Sequence, residues 1–257
     1  MWPYELFLGV TLYDIFLGIG VIMVLICLRF GFDRLGIRSK LFNMCLLIAI
    51  ASVLIGYGFA VLFQAFYNFM ASGVFRINLE TGATFYGGLI GGVITVMIGY
   101  FLVGHFLFPD GYHKTQIFRA LSVGALCVTV CHGFGRIGCL TAGCCYGHDT
   151  DAWYGIHMVT TGTKVVPTQL FEAIFLFLLS ALFFYKIFVR KPQYNLPIYM
   201  VGYGIWRFFI EFVRNDYRGE SLIPGLTPSQ LIALLMAVGG VGVFFLERVL
   251  RSKGKVE

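Results

Sequence analysis

Six polar side chains lie inside or at the ends of apolar runs where uncharged residues would be cheaper. Arg207, Glu211 and Arg214 are spaced i, i+4, i+7, so a helix there puts all three on one face. His132 and Arg136 lie four apart in a second run, and Glu172 follows Gln169 at the head of a third. A charge within a membrane span costs about 2.5–3.5 kcal/mol on insertion scales, so such residues are functional candidates by default. Two arginines set against two carboxylates suit a phosphate, because guanidinium offers a fixed fork of donors and stays charged when partly buried. His132 has the ordinary acidity for proton transfer, and equally that of a helix-packing donor. The plainer alternative for the whole set is ion pairing that locks helices together, for example Arg207 with Glu211 or Glu172.

These residues must be positioned by a membrane-embedded bundle. Of 257 residues, 58% are hydrophobic and only 12% charged, with a mean hydropathy of +0.83. Soluble domains carry about 25% charged residues. Seven stretches, 10–28, 43–68, 86–108, 117–138, 169–188, 196–214 and 229–250, reach the roughly 20 apolar residues that a spanning helix needs. The second and fourth are candidates for a break or tilt. Runs such as Ile174 to Phe184 have none of the alternation of an outer-membrane barrel. The expectation is an all-α integral membrane protein, a single polytopic domain over 1–257, with a small extracytoplasmic cap over 141–168.

Arg29, Arg34, Arg38 and Lys40, then Lys114 and Arg119, then Lys186, Arg190 and Lys191, and finally Arg248, Arg251, Lys253 and Lys255 alternate with segments poor in unpaired bases. Lys and Arg favour cytoplasmic loops, which places the N-terminus outside and the C-terminus in the cytoplasm. The formal net charge of +6 is spent on these flanks and implies no nucleic-acid partner. Met1-Trp-Pro-Tyr-Glu5 has no basic region ahead of its apolar stretch, so no cleaved signal peptide is expected. At 1.5 Å per residue, Arg207 lies about 16 Å and Arg214 about 27 Å from the cytoplasmic start of the sixth span, with His132 about 20 Å and Arg136 about 26 Å along the fourth. The fifth, seventh, third and first spans open at the same outer level with Thr168-Gln169, Ser229-Gln230, Tyr86, and Tyr13-Asp14. Several helices therefore bring polar groups to one depth, near the outer leaflet.

Among seven cysteines, Cys139, Cys144 and Cys145 lie at the outer end of the fourth span, where a disulfide is permitted. With Cys131, His132 and His148 they match no familiar zinc spacing, and no metal or other cofactor is expected. A thiol oxidoreductase built on Cys144 and Cys145 lacks the usual Cys-x-x-Cys arrangement. An anion transporter would favour internal repeats and a midplane site, and no repeat is visible. Gly87, Gly88, Gly91 and Gly92 at the head of the third span suit close helix packing, or else an opened cavity wall for a polar headgroup.

His132-Gly-Phe-Gly-Arg136-Ile-Gly138 resembles the Gly-Arg-x-Gly signature of the prolipoprotein diacylglyceryl transferases. Phe85-Tyr-Gly-Gly-Leu-Ile-Gly-Gly92, Pro167-Thr-Gln-Leu-Phe-Glu172, Gly202-Tyr-Gly-Ile-Trp-Arg-Phe-Phe-Ile-Glu-Phe-Val-Arg214 and Ser229-Gln230 are similar to further motifs of that family, in the same order. The family commonly has Asn where Cys139 stands, then Asn-Gly-Glu, where this chain reads on into Gly143-Cys-Cys-Tyr-Gly147. It commonly has His where Tyr86 stands. The resemblance implies transfer of a diacylglyceryl group from phosphatidylglycerol to the lipobox cysteine of a prolipoprotein signal peptide in the bacterial inner membrane, with glycerol phosphate released. It implies a catalytic set of Arg136, Arg207, His132 and Tyr86, with His148 a further candidate base. Glu172, Glu211, Arg214, Gln169, Tyr203, Gly138 and Cys139 would bind substrate. A same-fold lipid transferase acting on another acceptor is the alternative.

Overall fold

The computed structural model describes residues 3–7, 9–78, 81–215 and 225–257, apart from the side chains of 71, 85 and 86. Among them, seven helices are long and apolar enough to cross a membrane, as expected of a multi-pass membrane protein. They are α1 (Leu12–Arg34), α2 (Ser39–Ser72), α3 (Phe85–Leu107), α5 (Ile117–Ala142), α6 (Thr168–Phe188), α7 (Asn195–Ile210) and α8 (Pro228–Ser252). A four-residue helix α4 (Tyr112–Thr115) and four short strands, β1 (Glu5–Phe7), β2 (Val10–Thr11), β3 (Ile156–His157) and β4 (Lys164–Val165), complete the elements. The second and fourth spans, candidates for a break, are continuous helices of 34 and 26 residues. The sixth is the one that changes: its α-helix stops at Ile210 and a single 3-10 turn, Glu211–Val213, follows.

The chain forms two compact units. The unit Ile37–Gln116 contains α2, α3 and α4. Its two long helices meet through glycine: a Cβ on Gly87 would stand 2.7 Å from the Phe59 carbonyl oxygen, and one on Gly91 2.6 Å from the Phe59 Cβ. Close packing, rather than an open cavity wall, is what these glycines permit. Arg38 pairs with Asp110 at 2.6 Å and stacks 4.0 Å above the Tyr112 ring, tying the start of α2 to the turn after α3.

The unit Met1–Gly36 with Ile117–Glu257 contains α1, α5, α6, α7 and α8. Helix α5 packs against α1, α6 and α7, and α7 against α8. Central placement makes α5 the most buried span. Helix α1 starts at a capping box in which Thr11 Oγ1 accepts from the Asp14 N–H and Asp14 accepts from the Thr11 N–H at 2.9 Å. Asp14, noted at the head of the first span, is thus occupied as a cap. Between α5 and α6 the chain forms a small cap of loop and strand, built on the antiparallel β3–β4 pair with Met158 and Val165 fully buried.

Candidate active site

Glu172, fully buried one turn into α6, gathers three partners from two other helices. Its Oε2 lies 3.0 Å from Arg136 Nε on α5, and its Oε1 accepts a 2.6 Å hydrogen bond from the Tyr203 hydroxyl on α7. His132 Nε2 stands 3.7 Å from the same Oε1, beyond hydrogen-bond reach, with its ring edge-on to Tyr203 at 5.1 Å. Tyr199 stacks on Tyr203 one turn earlier and braces it.

Glu211 is the second carboxylate. Arg207 Nη2 sits 2.7 Å from its Oε2 and Arg214 Nε 3.9 Å from the same oxygen, while the Thr227 hydroxyl donates to Oε1 at 3.1 Å. The sequence places Arg207, Glu211 and Arg214 on one α-helical face, but Arg214 lies past the helix in extended backbone, bridged to Gly147 of the cap. It stays beside Glu211 because a 3-10 turn eclipses residues three apart, so tightening the last turn turns an i, i+3 pair onto one line. Thr227, which sequence reasoning passed over, also caps α8. It accepts from the Gln230 N–H while Gln230 accepts back, and Thr227-Pro-Ser-Gln230 is a legible capping box.

The two groups are one electrostatic unit, since Arg207 acts on both Glu172 and His132. Arg207, Glu211 and Arg214 are each under a tenth exposed, and Glu172 not at all. Among the described residues, three guanidiniums face two carboxylates in a setting poor in water. Arg207 Nη1 is buried and makes no hydrogen bond to any described residue. An unneutralised buried charge costs several kcal/mol, so the arrangement favours an anion that fills this position. Singly charged phosphodiesters match both the charge and the fork geometry.

Other expected site residues sort differently. Gln169 donates to the Cys144 carbonyl, and Thr168 to the Cys145 carbonyl at 2.7 Å. Gly138 serves packing: a Cβ there would stand 2.9 Å from the Tyr13 ring on α1. His148 is exposed, and its backbone binds the carbonyl of Val213 and the N–H of Val166. The side chain of Tyr86 lies outside the described residues.

Beside the arginines, the Sγ atoms of Cys139, Cys144 and Cys145 all lie within 4.8 Å of one another. Gly143 at φ +70° and Cys145 at φ +66° fold the chain back on the end of α5. The second of these is uncommon outside glycine and persists where surroundings over-determine it. Hydrogen bonds from the Cys139 and Cys144 thiols, then the Arg214 guanidinium, hold the Cys145 thiol well below the ordinary range, while Cys139 pushes Cys144 up.

Known proteins resemble this chain over most of its length. A family model described as prolipoprotein diacylglyceryl transferase matches residues 4–246. The phosphatidylglycerol–prolipoprotein diacylglyceryl transferase 2 of Clostridium perfringens is 30% identical over 95% of this chain and 93% of its own length. The corresponding transferase of Clostridium tetani is 29% identical over 95% and 96%, and that of Campylobacter curvus 32% identical over 64% and 57%. With helices, buried arginines and nearly full-length likeness in agreement, the chain belongs to the prolipoprotein diacylglyceryl transferase family.

Proposed function

We propose that this protein transfers the diacylglyceryl group of phosphatidylglycerol to the lipobox cysteine thiol of a prolipoprotein, as one polytopic domain of the bacterial inner membrane with its site toward the outer leaflet. The observation that carries the reading is the buried set of three arginines and two glutamates, in which Arg207 Nη1 has no hydrogen-bond partner among the described residues. In the reaction the sulfur lone pair forms a bond to the glyceryl carbon bearing the phosphate. The carbon–oxygen bond breaks, and its electron pair leaves on glycerol phosphate. The phosphate goes from one negative charge to two, so fixed guanidiniums bind the transition state more tightly than the ground state. Arg136 and Arg207 form the clamp. Glu172, Glu211 and Tyr203 hold it in place, and Arg214 extends it.

The thiol proton passes to His132, whose Nε2 stands 3.7 Å from Glu172 beside the clamp. Tyr86 is the second candidate acceptor, on the family resemblance alone. Transfer is tested by incubating purified protein in detergent with phosphatidylglycerol and a lipobox peptide and weighing the peptide by mass spectrometry. The peptide should gain the diacylglyceryl mass, and Arg136→Ala should lower the rate by about 10²- to 10³-fold. Lipid consumption without peptide modification would keep the site and replace the acceptor, whereas no turnover by folded protein would remove the enzymatic reading.

A further inference from the structure

We propose that Cys139, Cys144 and Cys145 form a three-thiolate site for one thiophilic divalent cation, with zinc the fitting ion, and that its open fourth position takes the acceptor thiol. The inference departs from the sequence expectation of no metal, and its second half rests on the acceptor being a thiol, as argued above.

Geometry supports the ion. Zinc–sulfur bonds of about 2.3 Å put tetrahedral sulfurs about 3.8 Å apart. Three Sγ atoms already within 4.8 Å of one another reach that spacing by side-chain adjustment. The backbone is built to hold them. Cys145 keeps a left-handed conformation, the Cys144 N–H bonds the Cys139 carbonyl at 3.2 Å, and Thr168 and Gln169 on α6 fix the carbonyls of Cys145 and Cys144. Charge fits as well: three thiolates on a divalent cation carry one net negative charge, and the Arg214 guanidinium contacts Cys145. Soft sulfur donors select zinc over the hard cations that prefer oxygen, and three protein ligands with a fourth place open is the pattern of reactive rather than structural zinc. The ligands also sit beside the phosphate clamp, because Cys139 follows Arg136 by three residues on α5 and acts on it electrostatically.

Coordination gives the acceptor what the chemistry needs. The incoming thiol loses its proton on binding the cation, and that proton passes by way of water to His132, two turns earlier on α5. The bound sulfur, now one of four thiolates sharing two positive charges, keeps a lone pair rich enough to attack the glyceryl carbon. The carbon–oxygen bond breaks toward the phosphate held by Arg136 and Arg207. The cation keeps its oxidation state, so no oxidant or reductant enters.

The test uses the full chain in detergent with its thiols reduced. Cadmium(II) titration should give a thiolate-to-metal charge-transfer band that saturates at about one ion per chain and is lost in Cys144→Ser, whose exposed position makes it the variant least disruptive to folding. Bound zinc by elemental analysis should follow the same pattern. No binding by reduced wild-type protein, equal binding by Cys139→Ser, Cys144→Ser and Cys145→Ser, or a thiol count showing two of the three paired as a disulfide in freshly isolated protein would overturn the site. In cobalt(II)-loaded protein, a lipobox peptide should strengthen the ligand-field absorption while its Cys→Ser counterpart leaves it unchanged. An unchanged spectrum with a peptide that is nonetheless lipidated would overturn the acceptor role. Failure of peptide lipidation alone would count against the transferase reading and leave the metal measurements standing.

Discussion

The unit formed by Met1–Gly36 and Ile117–Glu257 buries glutamates at two levels of its helices, and they are treated differently. Glu247, near the end of α8, is held through one oxygen. Its Oε1 takes Arg251 Nε at 2.9 Å, Arg251 Nη2 at 2.8 Å and the backbone N–H of Tyr194 at 3.1 Å. This joins the end of α8 to the residue that starts α7, which itself sits in the left-handed region at φ +61°. Glu172 and Glu211 instead face three arginines among the described residues, and Arg207 Nη1 keeps a donor with no partner among them. A carboxylate held by a neighbouring cation and a backbone N–H of another helix makes a lock. A cluster with a spare buried cationic donor stores unfavourable energy that a bound anion relieves.

That difference can be broken at each level. The largest expected effect is Glu172→Ala, which removes the shared partner of Arg136, Tyr203 and His132; transfer should fall by about 10³-fold or more in the peptide assay. Next is Glu247→Gln, which should lower stability by about 2 kcal/mol, read as a drop in Tm of several degrees, and leave the transfer rate of the folded enzyme near wild type. Arg207→Lys keeps the charge and loses the fork, and should cost about tenfold in rate, with its effect in kcat more than in KM. The smallest is Thr227→Ala, which forfeits one end of the capping box and one bond to Glu211. It should destabilise by about 1 kcal/mol in thermal unfolding.

Much of this was legible in the sequence. Apolar run length located all seven spans, because backbone groups in lipid leave helices as the simple solution. Counting helical rise brought His132, Arg136, Glu172 and Arg207 to one level, and the structure joins them in one network. What stayed hidden depends on local backbone turns. Arg214 was read as helical because spacing does not announce a 3-10 turn. The three thiols were seen as neighbours in sequence, but their meeting requires positive φ at Gly143 and at Cys145, and the second has no residue-type signal. Glu247 was overlooked because it sits among basic residues of a flank, where a carboxylate ordinarily faces water.

Arg207 serves the substrate and not the fold. Arg207→Met is the direct measurement, with Tm and peptide lipidation read on the same preparation beside Glu247→Gln. Removing Arg207 takes away a buried guanidinium with an unpartnered donor, so Tm should hold or rise while transfer falls by about 10²-fold or more. Tm falling as far as in Glu247→Gln, with transfer retained, would make the cluster a helix lock and contradict the account.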